Sequence, residues 1–127
     1  MSREVVRRFY ATFSAGDLDA AAACFADDAV WTIPGRSSIA GPHQGREAIQ
    51  REVLEQLGRI SRGTFRVELL DVTVGHEYVV AIQHATGRRD QQVLDVTACQ
   101  LITLADGKIA TMRGYYSDQD ALDAFWR

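Results

Sequence analysis

Cysteine is scarce in this chain of 127 residues: Cys24 and Cys99 each sit inside an apolar stretch, without the C-x-x-C spacing of redox or zinc motifs. Both are expected to be buried structural thiols suited to a reducing compartment. No apolar run approaches the roughly 20 residues that a membrane-spanning helix requires. The opening residues carry Arg3, Glu4, Arg7 and Arg8 in place of an apolar leader core, so no signal peptide is expected and the chain reads as cytoplasmic. A basic stripe is missing too. With 14 Lys+Arg against 17 Asp+Glu the net charge is −3, and the pairs Arg7-Arg8 and Arg88-Arg89 read as solvated faces, which argues against a nucleic-acid partner. His43, His76 and His84 lack metal-ligand spacing, Asp27-Asp28 reads as a turn cap, and neither a metal nor a cofactor is expected. No nucleophile elbow or triad spacing supports covalent catalysis.

What remains is an ordinary globular composition, 46% apolar and 24% charged, in a length that suits one domain over residues 1–127. Val5, Val6, Phe9, Tyr10 and Phe13 fall on one helical arc between Arg3 and Ala15. Gly16 ends that helix and Asp17 caps a second, short helix from Leu18 to Ala26. A strand is predicted over Ala29–Ile33, stopped by Pro34-Gly35, then a loop from Arg36 to Gly45. A third helix runs from Arg46 to about Ile60 on the stripe Ile49, Val53, Leu57 and Ile60. Four strands follow, over Thr64–Gly75, Glu77–Gly87, Val93–Leu104 and Lys108–Ser117, the last two joined by an Asp106-Gly107 hairpin turn. Ser117 and Asp120 stand in capping-box spacing before a short helix with Leu122, Phe125 and Trp126. Helices first and strands afterwards predict an α+β fold, a curved antiparallel sheet wrapped around the N-terminal helices as a cone with a central pocket.

Several segments carry a family resemblance. Phe9-Tyr10, Ser14-Ala15-Gly16-Asp17-Leu18 and Cys24-Phe25-Ala26-Asp27-Asp28-Ala29-Val30-Trp31 open it. Pro34-Gly35, Gly45-Arg46-Glu47-Ala48-Ile49, Gly63-Thr64-Phe65, Asp106-Gly107-Lys108-Ile109 and the Ala121–Trp126 tail continue it. Together they resemble the SnoaL-like proteins of the nuclear-transport-factor-2-like superfamily, which includes ketosteroid isomerase and limonene epoxide hydrolase. The resemblance implies the cone fold across the whole chain. It does not carry the known chemistries over. The ketosteroid isomerase tyrosine, aspartate and second acid fall on Phe9, Ile33 and Gln100. The epoxide hydrolase Arg-Asp-Asp set falls near His84, Thr86 and Gly114. Histidines and an acid found in similar SnoaL-like proteins fall on Thr32, Gln100 and Gly114.

Alternation along the strands then nominates what polar chemistry is left. Tyr78, Val80, Ile82, His84 and Thr86 form one row, and Leu94, Val96, Ala98, Gln100, Ile102 and Leu104 another. Taken as cavity rows, they make His84 the candidate acid or base, Gln100 a candidate oxyanion donor, and Tyr10 a phenol beside them. Trp31, Thr32, Ile33, Thr86, Met112, Tyr116 and, on the loop, His43 are the candidate substrate contacts. Asp90 and Asp95 read as solvated, and Arg113 as facing a partner or solvent. The opposite faces, with Val67, Leu69, Val79, Ala81, Leu101 and Tyr115, are too apolar for solvent and predict a homodimer through the sheet. Three readings stand side by side. One is a cofactor-free isomerase, cyclase or hydrolase for a small hydrophobic carbonyl or epoxide compound. The others are a binder of a small hydrophobic ligand and a dimerisation module.

Overall fold

The first helix, α1 (Ser2–Ser14), buries Val5, Val6, Phe9 and Tyr10 and leaves Arg3, Glu4, Arg7 and Arg8 in solvent. It ends as Gly16 turns to φ +80° and the Asp17 N–H reaches back to the Thr12 carbonyl at 2.9 Å. Asp17 then caps α2 (Leu18–Ala22) by accepting from the Ala20 N–H. The computed structural model describes residues 2–127. Helix α2 is shorter than its sequence pattern predicts, because Phe25 already belongs to β1 (Phe25–Ile33). Asp27-Asp28 therefore lies on a strand and not in a turn, and Asp27 pairs with Arg46 at 2.9 Å.

A second correction lies in the predicted loop, where β2 (Gly41–Gln44) pairs antiparallel with β1. The next helix is continuous but irregular. It starts as α3 (Arg46–Ile49), widens into a π-helical stretch (Gln50–Leu54) and resumes as α4 (Glu55–Ile60). The Glu55 N–H reaches back five residues to the Gln50 carbonyl. Across the wider turn both Val53 and Leu54 face inward, at 0% and 1% exposure.

Strands β3 (Arg66–Val74), β4 (Val79–Arg89), β5 (Gln92–Ala105) and β6 (Lys108–Tyr116) form the antiparallel meander. Asp106 and Gly107, with φ of +52° and +76°, make the tight turn between β5 and β6. The sheet order is β2-β1-β6-β5-β4-β3, and β1 lies parallel to β6. The sheet is thus mixed where the sequence predicted an antiparallel one. The chain closes with α5 (Gln119–Phe125), capped by Asp118, not Ser117, through the Ala121 N–H. No helix among the described residues is long and apolar enough to cross a membrane.

Phe9 is the hub of the core. Its ring packs edge to face on Tyr10, Phe25 and Trp31, with centroids 5.3, 5.2 and 5.9 Å away. Cys24 is buried, whereas Cys99 is exposed on the outer face of β5, contrary to the expectation for it.

Candidate functional site

The concave face of the sheet and the helices enclose a cavity. Helix α1 supplies Phe9, Tyr10 and Phe13, and β1 supplies Trp31 and Ile33. Gln83, Gln100, Met112 and Tyr116 reach in from β4, β5 and β6. Ile39, Leu122 and Trp126 close one end. That end is strapped down by Ser38, whose hydroxyl and N–H both donate to the Trp126 carbonyl, at 2.6 and 3.3 Å. The cavity measures about 40 Å³, room for roughly two or three water molecules. Phe13 and Phe65, edge to face at 6.2 Å, separate it from a wider groove of about 380 Å³ beside α4. Phe13, Phe65 and Val67 line both spaces, so they form the doorway.

Four polar side chains stand on an otherwise apolar wall. The Tyr10 hydroxyl donates to Gln83 Oε1 across the cavity, and Gln100 Nε2 donates to the Tyr116 hydroxyl at 3.3 Å. Gly114 makes room for the second pair: a Cβ there would lie 2.7 Å from the Tyr116 ring and 3.2 Å from the Gln100 amide. Two atoms of the wall have no partner, the indole nitrogen of Trp31 and Oε1 of Gln100. Leaving such a group buried and unpaired costs about 1–3 kcal/mol. Among the described residues, no carboxylate, imidazole, guanidinium or ammonium lines the cavity. Its titratable groups are the phenols of Tyr10 and Tyr116. Burial pushes both above the ordinary tyrosine value, and for Tyr116 the hydrogen bond from Gln100 works the other way.

Of the residues nominated from sequence, the fold gathers Tyr10, Trp31, Ile33, Gln100, Met112 and Tyr116 around this cavity. His84 is not among them. The inward row of β4 is Val79, Ala81, Gln83 and Ala85, one residue out of step with the nominated row. His84 faces outward, where its Nε2 meets Asp95 at 2.6 Å. Thr86 lines a shallow hollow with Thr64 and Val93 on the outside, and Thr32, between Trp31 and Ile33, points away from the cavity wall. The slip has a physical cause. Both faces of β4 are apolar, and the bulkier side chains, Val80 and Ile82, point outward while small Ala81 and Ala85 are fully buried. Gln83 was therefore missed, although it is the partner of Tyr10.

His43 lies behind the wall instead of in it. Its Nε2 donates to the Ile39 carbonyl at 2.7 Å, and its Nδ1 contacts Glu52 on the π-helical stretch at 2.9 Å. That contact, first among its causes, holds the Glu52 carboxyl below its usual value. His43 thereby fixes the backbone that presents Ile39 to the cavity.

A mixed, curved sheet closed by helices over a buried apolar cavity places this chain in the nuclear-transport-factor-2-like class of α+β cones. Within it, the chain belongs to the SnoaL-like family: the SnoaL-like domain pattern matches residues 6–112. An uncharacterised protein of Mycobacterium tuberculosis is 32% identical over 124 residues, 97% of this chain and 94% of that protein. Among solved structures, Bal32a, from a soil-derived mobile gene cassette, superposes with a TM-score of 0.93. It is 38% identical, with 99% of this chain and 96% of that one covered. A Xanthomonas campestris protein of unknown function with a cystatin-like fold superposes with a TM-score of 0.90 at 25% identity, covering 98% and 97%.

Proposed function

We propose that this chain holds a small, uncharged, hydrophobic molecule in the cone. The observation behind this reading is the wall itself, aromatic and aliphatic with four neutral polar side chains and no charge. A charged ligand would lose its hydration there without gaining a counter-charge. Binding raises the melting temperature by mass action, so a thermal-shift screen against small ketones, phenols, lactones and epoxides is the direct test. Hits are expected to keep their affinity from about pH 5 to pH 9, because the two wall phenols stay neutral throughout. His84→Gln is expected to leave affinity unchanged. A neutral-pH inflection that His84→Gln removes would return His84 to the site and refute this reading.

The enzyme reading, a cofactor-free isomerase, cyclase or hydrolase, is favoured by one observation. The neutral phenols and amides can hydrogen-bond a carbonyl or epoxide oxygen and polarise it. A wall without a base offers no proton acceptor near neutrality, so turnover of this kind depends on a substrate that needs only polarisation.

We also propose that the outer sheet face pairs two copies. Val67, Leu69, Val79 and Ala81, expected on that face, pack inward instead. The outward rows are Val80 beside Leu101, and Ile82 beside Cys99 beside Tyr115, with Tyr115 55% exposed. Sedimentation at micromolar concentration is expected to give a dimer, and Tyr115→Arg a monomer with unchanged ligand binding. A wild-type monomer would remove the proposal.

A further inference from the structure

Trp31 Nε1 and Gln100 Oε1 are, among the described residues, the two buried side-chain nitrogen or oxygen atoms without a hydrogen-bond partner. They belong to the wall of the same cavity. Trp31 is 6% exposed and Gln100 2%. Folded chains pair nearly all such atoms, and each exception asks for a cause. The other three polar side chains of the wall give no such signal: Tyr10 donates to Gln83, and the Tyr116 hydroxyl accepts from Gln100 Nε2.

The two unpaired atoms have opposite polarity. An indole N–H only donates, and an amide oxygen only accepts. They also stand apart. Trp31 lies opposite Met112 and Met112 opposite Ile102, while Gln100 is one inward position further along β5. That is two strands and one row, about 12 Å between the backbones. A ligand that meets both carries an acceptor at one end and a donor at the other.

On this basis, and resting on the reading of the cavity as a binding site, we propose that the ligand is a neutral hydroxy-carbonyl compound. Its carbonyl oxygen accepts from Trp31 Nε1 and its hydroxyl donates to Gln100 Oε1. The narrow space and the rings of Phe9, Phe13 and Tyr10 favour a single flat ring between the two ends. Such a ring exceeds the room for two or three water molecules, so it fits only when Phe13 and Phe65 part and join the cavity to the wider groove that they also line.

Four probes of nearly equal shape test this near neutral pH: ethylbenzene, acetophenone, 4-ethylphenol and 4-hydroxyacetophenone. Their affinities would be measured by calorimetry on the whole chain. 4-Hydroxyacetophenone is expected to bind about tenfold tighter than either singly polar probe and about a hundredfold tighter than ethylbenzene. Trp31→Phe should erase the preference for acetyl over ethyl, and Gln100→Leu the preference for hydroxyl over hydrogen. If a variant fails to fold, the ladder of wild-type affinities still decides. Ethylbenzene binding as tightly as 4-hydroxyacetophenone would overturn the inference while leaving the binding site standing. Acetophenone equalling 4-hydroxyacetophenone would overturn it too, since Gln100 would then not be accepting from the ligand. If none of the four binds, the cavity reading fails and this inference falls with it.

Discussion

Phe9→Ala is expected to destabilise the protein by about 3–5 kcal/mol, the usual cost of deleting a buried ring. That is a large share of the roughly 5–15 kcal/mol that holds a domain of this kind together. The effect is expected at the upper end. Phe9 touches four other rings, those of Tyr10, Phe13, Phe25 and Trp31, and edge-to-face pairs add stabilisation beyond area burial. The same deletion widens the cavity, because Phe9 is part of its wall. Chemical denaturation should therefore show a lower midpoint, while bicyclic probes too large for the wild type begin to bind. A loss below about 1 kcal/mol would mean that the neighbouring rings collapse into the gap, and the larger probes should then still be excluded.

Alkali is expected to unfold the protein with a steep dependence on pH. Tyr10 and Tyr116 are held neutral by burial, so their native-state values lie above those of the unfolded chain. The unfolded chain releases these protons from about pH 10 upward while the native state retains them. Stability therefore begins to fall from about pH 8.5, where the thiol of Cys24, likewise pushed up by burial, ionises in the unfolded chain, and falls more steeply above about pH 10, by about 1.4 kcal/mol per pH unit for each such group. Tyr10→Phe should shallow the slope above pH 10 by about a third, since Tyr116 and Cys24 still contribute. At neutral pH the same change should cost about 1–3 kcal/mol, since Gln83 Oε1 is left buried without its donor. Urea denaturation at a series of pH values reads both effects. An unchanged slope in Tyr10→Phe would show that the Tyr10 phenol ionises in the native state.

The sequence carried the fold further than the site. The α1 arc, the Gly16-Asp17 punctuation and the Asp106-Gly107 turn are local rules, and each operates as predicted. On β5 the alternation was unambiguous, since Asp95, Thr97 and Cys99 separate Leu94, Val96, Ala98 and Gln100. That strand gave the right inward row, Gln100 included. On β4 both faces are apolar, so hydrophobicity alone chose the bulkier row and turned His84 inward and Gln83 outward. Only the buried position of Ala81 and Ala85 beneath the helices resolves the register, and that is tertiary information. The short strand β2 was hidden because Gly41 and Pro42 look like loop, and its pairing with β1 supplies what its propensity lacks.

The parallel pairing of β1 with β6 also sets an order of assembly. Trp31 lies beside Met112 and Thr32 beside Arg113, partners about eighty residues apart in the chain. Antiparallel neighbours such as β5 and β6 can zip from their turn, but β1 must wait until nearly the whole sequence is available. Such distant partners slow folding, toward the millisecond-to-second range typical of non-local topologies. During synthesis β1 leaves the ribosome well before β6, so its β6 edge stays unpaired until late. The cavity, walled by β1 on one side and β6 on the other, is consequently among the last features to form.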